Sequence, residues 1–206
     1  MSEEKAGQPD EPFRWWFLPS WLGLDAPLVV TIWTKALSLA FAQPIPWVND
    51  LLLAVTVWAV YLADRLIDVA RCKDWSIATA RLEFGRRCHG VLLGCLGLCS
   101  ISAGILLFFV NPEVIVRGIW VSIGVGAYFS LFVVPWLLRD KLPGKEIGVG
   151  LFFALGAWAA LGPIPGSWPV FLGFGLLVAM NCLVIAAKDS IADASNDPGG
   201  ASRWWK

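Results

Sequence analysis

The chain has 206 residues, 57% of them apolar before its 20 glycines are counted, and only 16% charged. Soluble domains hold ~45–50% apolar residues with glycine included, and mean hydropathy here is +0.66, so a soluble globular enzyme and a disordered chain are excluded. Zero net charge leaves no basic field to attract a polyanion, which excludes a nucleic-acid binder. What remains is an all-α, polytopic transmembrane helical bundle. At ~20 residues per span, the length suits about six spans.

A polar tail, residues 1–20, comes first. Its first twelve residues carry four acids (Glu3, Glu4, Asp10, Glu11) and one lysine, so no cleavable signal peptide is expected. The bundle occupies residues 21–198, and residues 199–206 form a polar C-terminal segment. Six apolar segments are visible: Ala26–Ala42, Leu51–Asp68, Val91–Val110, Ile119–Leu138, Ile147–Leu161 and Pro169–Ala187. The third and fourth carry no charge at all, the strongest membrane-span signal in the chain. The second is uncharged only from Leu51 to Ala63. At ~1.5 Å per residue that stretch cannot cross ~30 Å of hydrocarbon unless Asp64–Asp68 lie within the span or at its edge.

The basic residues set the orientation. Fourteen of the sixteen Lys and Arg fall in the tail, in the connections after spans two and four, and after span six; Arg117 is on the other side and Lys35 within span one. This bias places both termini in the cytoplasm of a cell-membrane protein. Trp15, Trp16, Trp21, Trp47, Trp136, Trp168, Trp204 and Trp205 fall near the expected interfaces, as an aromatic belt does. The outer connections are short and turn-like, rich in Pro and Gly. The inner ones are long and basic, and Arg71–His89 has room for a short amphipathic helix. Cys72, Cys88, Cys95, Cys99 and Cys182 lie in membrane or cytoplasm, where thiols stay reduced. Gly90/Gly94 have GxxxG spacing and are expected at a helix-packing surface. Gly148-x-Gly150 and Gly173-x-Gly175 sit in or beside apolar spans, which argues against a nucleotide loop.

Charges at a membrane edge are costly, so they are the first functional candidates. One cluster is Asp64-Arg65-Leu66-Ile67-Asp68, at the cytoplasmic end of span two. The other runs from Asp189 through Asp193 to Asp197, at the cytoplasmic end of span six. The i, i+4 spacing puts each set of aspartates on one helix face. Like charges at that spacing destabilise a helix, and a hard divalent cation offsets the cost. Mg2+ is usually held by one or two carboxylates plus substrate phosphates. Two such faces turned toward each other would hold a metal-bridged diphosphate. Asp64, Asp68, Asp189 and Asp193 are therefore the candidate metal-binding and catalytic residues. Arg71, Arg81, Lys141, Lys145 and Lys188 are candidate phosphate partners. Lys35, near mid-membrane, is expected to face a polar cavity or to pair with an acid. Asn181, two turns before Asp189, extends the same polar stripe. The bland reading is that aspartates at a cytoplasmic helix end are solvated loop residues.

These clusters resemble those of the UbiA superfamily of intramembrane prenyltransferases, which carry an NDxxDxxxD motif on the second helix and DxxxDxxxD after the sixth. Val60-Tyr61-Leu62-Ala63-Asp64-Arg65-Leu66-Ile67-Asp68 fills the first slot and Asp189–Asp197 the second. The Asp25-Ala26-Pro27 opening of span one and the basic stretch around Arg81 are similar to the family as well. The resemblance implies a helical bundle around a central cavity. It implies Mg2+-dependent transfer of a prenyl group from a prenyl diphosphate to a small-molecule or lipid acceptor among membrane lipids. Two departures stand out. Val60 and Tyr61 replace the leading Asn and first Asp of the first motif, removing one carboxylate. Family members usually have about nine spans, so the likeness covers this chain but only part of the family's bundle, and pairing of two copies would close an open cavity wall.

Three other readings stay open. CDP-alcohol phosphatidyltransferases have a similar length, but their aspartates lie close together, and a Gly follows the second where Val69 stands here. A catalytically degenerate scaffold or carrier fits the missing carboxylate. A cation pathway calls for acids near mid-membrane, whereas these lie at one edge.

Overall fold

The computed structural model describes residues 18–72, 75, 79–133 and 144–188. Its regular elements are all helices: α1 (Leu18–Trp21), α2 (Asp25–Ala40), α3 (Trp47–Arg71), α4 (Ala80–Arg87), α5 (His89–Leu106), α6 (Pro112–Val133), α7 (Gly144–Leu161) and α8 (Trp168–Lys188). Each of the six apolar segments has one long helix over most of its described residues. The short amphipathic helix foreseen between Arg71 and His89 is α4. Among the described residues two helices, α5 and α8, are long and apolar enough to cross a membrane.

Local chemistry fixes the ends. Asp25 opens α2, its Oδ1 accepting the Ala26 N–H at 3.1 Å, and Pro27 occupies the first turn, where no intrahelical donor is needed. The helix closes when Ala42 turns left-handed at φ +50°, sending the Ala42 and Gln43 N–H groups back to the Leu39 and Ser38 carbonyls. Pro46 precedes α3, which has Asp50 in its first turn and Arg71 in its last, matching the helix dipole. Thr79 caps α4 by accepting the Leu82 N–H at 3.3 Å. Glu83 and Arg87 pair across one turn of α4 at 2.8 Å.

Several boundaries differ from the sequence reading. α3 starts at Trp47 and continues to Arg71, so its 25 residues carry Asp64–Asp68 inside the helix. α5 stops at Leu106, and α6 begins at Pro112 rather than near Ile119. Arg117 explains the latter: it lies on the first turns of α6, where its Nε donates to the Ala159 carbonyl of α7 at 3.0 Å. The small helix α1 straddles the expected tail boundary.

Helix α3 is the spine, packed against α2, α4, α5 and α7. Val30, Leu53 and Ala160 join α2, α3 and α7, and Asn49 of α3 donates to the Ala160 carbonyl at 3.4 Å. The tightest approach is between α7 and α8. A Cβ on Gly150 would collide with the Gly175 carbonyl oxygen, and Ala154 and Ala179 flank the crossing. Small residues spaced four apart let the two backbones touch, which is how these glycines are used. The GxxxG pair expected at a packing surface behaves differently: nothing lies within 4 Å of a Cβ placed on Gly90 or Gly94. α5 buries only Leu92 and Cys99 and leaves its glycine side open.

Candidate functional site

A cavity of about 660 Å³ opens where the N-termini of α2 and α7 meet the C-terminal turns of α3 and α8. That size is typical of a small-molecule site. Its polar and charged lining comes from α2 (Asp25), α3 (Tyr61, Asp64, Arg65, Asp68), α4 (Arg81) and α7 (Glu146), with Asn181 from α8. Its other walls are apolar, among them Val29, Trp33, Val149, Phe153, Leu177 and Val178.

The α3 residues share one helix face by spacing: 61, 64, 65 and 68 are i, i+3, i+4 and i+7. Arg65 is only 4% exposed. Its Nη2 donates to the Tyr61 hydroxyl at 2.6 Å, and its guanidinium lies 5.1 Å from the Tyr61 ring centroid. Its other terminal nitrogen, Nη1, is buried and has no hydrogen-bond partner among the described residues. Asp68 and Arg81 are close enough to act on it electrostatically. A buried cation with donors to spare is costly unless an anion takes them.

Neighbouring glycines hold this pair in place. Gly23, at φ +71°, ends the α1–α2 turn, and a Cβ there would run into the Tyr61 ring. Trp58 Nε1 pins the same turn to α3 by donating to the Leu22 carbonyl at 2.9 Å. Gly85, the buried residue of α4, lies where a Cβ would be 2.8 Å from Val69 of α3. That close contact brings Arg81, one turn earlier, to the cavity edge. Glu146 sits in the first turn of α7 and is 5% exposed.

Of the residues singled out from sequence, Asp64, Asp68, Arg81 and Asn181 line one cavity. Lys35 does not reach it. It is ion-paired with Asp50 in the first turn of α3, away from the aspartate end. The lysine answers a buried acid instead of a ligand, because Asp50 is 6% exposed and is the charge nearby that most needs a partner. Arg71, the exposed last residue of α3, is outside the lining. Lys145 and Lys188 fall at the ends of α7 and α8 that face the cavity, their side chains outside the described set. Asp189, Asp193 and Lys141 lie outside the described residues.

Sequence reading leaves Arg65 and Glu146 out of the site residues and gives Tyr61 only as the replacement for a motif carboxylate. Arg65 enters the sequence reading only as a member of the Asp64–Asp68 cluster, although its i, i+4 spacing from Tyr61 is a usable signal. Glu146 does not figure in the sequence reading, although an acid just before an apolar run marks a helix N-terminus. The cavity carries four carboxylates and two guanidinium groups among its described residues. With its apolar walls, it suits an amphiphile with a strongly anionic head accompanied by a cation.

Compared with protein-family models, with curated proteins and with solved structures, the chain finds no match.

Proposed function

We propose that the chain is a Mg2+-dependent integral-membrane prenyltransferase, moving a prenyl group from a prenyl diphosphate to a lipophilic acceptor. The observation that carries this reading is Arg65: a buried guanidinium with an unused nitrogen, beside Asp64 and Asp68, at the charged end of an otherwise apolar cavity. An anionic head takes the guanidinium donors and an apolar tail takes the walls.

In this reading the six long helices cross the membrane and both termini face the cytoplasm. Two facts support it. Mostly apolar helices such as α5 and α8 face outward along most of their length, which suits lipid rather than water. Trp47 and Trp168, at the helix ends opposite the aspartates, are exposed as interface anchors are.

Mg2+ fits the donor set in part. Among the described residues no three acids, histidines or cysteines gather into a cage. Asp64 and Asp68 would hold the ion, with phosphate oxygens completing the shell; Asp189 and Asp193, the other two ligands that the resemblance implies, lie outside the described residues. An ion held there would supply positive charge to offset the charge that develops on a departing diphosphate. Arg65 and Arg81 hold that diphosphate by charge-assisted hydrogen bonds as the allylic carbon–oxygen bond breaks. Glu146, facing the same space, receives the proton that the acceptor loses. The apolar walls keep water from capturing the electrophile.

A second reading is a carrier that binds the same lipid without turning it over. Tyr61 favours it, because a phenol bonded to Arg65 stands where the resemblance calls for a carboxylate. The two separate in one assay: release of inorganic diphosphate from geranyl and geranylgeranyl diphosphate by purified protein, with a membrane lipid extract and Mg2+. Release that EDTA and Asp64→Asn both abolish supports the transferase. Binding without release supports the carrier, and no binding by folded protein overturns both.

A further inference from the structure

Two groups on α3 compete for Arg65: the Tyr61 hydroxyl, one turn before it, and the Asp68 carboxylate, one turn after it. We infer that Tyr61 is a positioning residue, which holds the guanidinium off Asp68 and so leaves its charge to the ligand. The inference rests on the diphosphate reading of the cavity's charged end.

Spacing sets up the competition. Residues 61, 65 and 68 stand at i−4, i and i+3 on one helix face. Side chains lean toward the N-terminus of their helix, so Arg65 leans over the turn of Tyr61, and Asp68 leans over the turn of Arg65. A guanidinium and a carboxylate at this spacing attract, and more strongly where water is partly excluded. Arg65 is bonded to the phenol all the same. Its Nη2 donates to the Tyr61 hydroxyl at 2.6 Å, and Asp68 acts on it through its charge alone.

The phenol prevails because its place is fixed from the other side. The Tyr61 ring lies against Gly23, where a Cβ would run into Cδ1, and Trp58 ties the turn that carries Gly23 to α3. The guanidinium meets both the hydroxyl and the ring, the latter at 5.1 Å, so a cation–π contact adds to the hydrogen bond. The choice of partner matters to a ligand. A carboxylate takes guanidinium donors in pairs and cancels the charge. A neutral phenol takes one donor and leaves the charge. It also leaves Nη1, buried without a hydrogen-bond partner among the described residues, for a phosphate oxygen.

The test is binding of geranyl diphosphate to purified protein in detergent, with inorganic diphosphate as the headgroup alone. Two quantities are read: affinity at saturating Mg2+, and the Mg2+ concentration that gives half-maximal binding. Tyr61→Phe keeps the ring and removes the hydroxyl. Arg65 then turns to Asp68, where it is lost to the ligand and competes with the metal ion for the carboxylate. Affinity is expected to fall about tenfold, and the Mg2+ midpoint to rise about threefold. In an Arg65→Met background the same change should move either quantity by less than about twofold, because no guanidinium is released. A residue that only supports the fold would lower Tm in both backgrounds and leave the Mg2+ midpoint alone. Wild-type affinity in Tyr61→Phe overturns the positioning role. So does an Mg2+ midpoint that does not move, or a tenfold loss that persists without Arg65. If neither geranyl diphosphate nor inorganic diphosphate binds the folded wild type, it is the underlying reading that fails.

Discussion

Replacing Arg65 with methionine should weaken ligand binding and strengthen the fold at once. The side chain is 4% exposed, and only one of its two terminal nitrogens has a partner, the Tyr61 hydroxyl at 2.6 Å. A hydrogen bond to a charged group is worth about 1.5–3 kcal/mol, which is roughly 10- to 150-fold in affinity for a diphosphate head. In the empty protein the balance reverses. Exchanging a buried, under-paired charge for an apolar side chain of similar volume is neutral to stabilising by about 1–4 kcal/mol. The Tyr61 hydrogen bond and the ring contact offset part of that, which leaves a gain of about 1 kcal/mol, or roughly 2–4 °C in Tm. Thermal unfolding in detergent and competition by geranyl diphosphate read the two effects on one preparation. Arg65→Met that binds as tightly as wild type would refute the anion-site reasoning. A variant that binds weakly and also melts lower would mean that Arg65 is a structural residue.

Other outcomes follow from the same geometry. Lys35→Met should leave diphosphate binding unchanged and lower stability by about 1–3 kcal/mol, because it strands the buried Asp50 carboxylate; the lysine's half-exposed side chain keeps the figure below that of a fully buried pair. Weakened binding in that variant would return Lys35 to the site. Gly23→Ala should push the Tyr61 ring away from Arg65 and cut affinity about tenfold, measured in the same competition assay. Gly150→Leu should break the α7–α8 contact and prevent recovery of folded protein, whereas Gly94→Ala should be tolerated and gain about 0.5–1 kcal/mol of helix propensity, as unfolding in detergent can check.

The helices were legible because their signals are long and local. Each apolar segment carries one helix over most of its described residues, and Thr79 with Glu83 and Arg87 marks α4 by capping and charge order. Asp64 and Asp68 were legible for the same reason, since i, i+4 spacing on a helix fixes a shared face. Contacts between helices were not legible. Nothing in the spacing of Gly90 and Gly94 distinguishes an open side from a packed one, and nothing local says that Gly150 and Gly175 meet. Nothing local in the sequence pairs Lys35 with Asp50, so the acid that Lys35 answers is not legible there. Arg65 was obscured by its neighbours: a cation between two aspartates reads as part of a solvated run until the fold buries it beneath Tyr61.

The central claim is a metal-assisted diphosphate site at the aspartate end of the bundle. Equilibrium binding of geranyl diphosphate to the purified protein, with Mg2+ and with EDTA, tests it most directly, beside Asp64→Asn and Asp189→Asn. The account predicts saturable binding that EDTA removes and that each substitution reduces at least about tenfold while helical content is unchanged. Binding that survives EDTA and both substitutions in folded protein would contradict it.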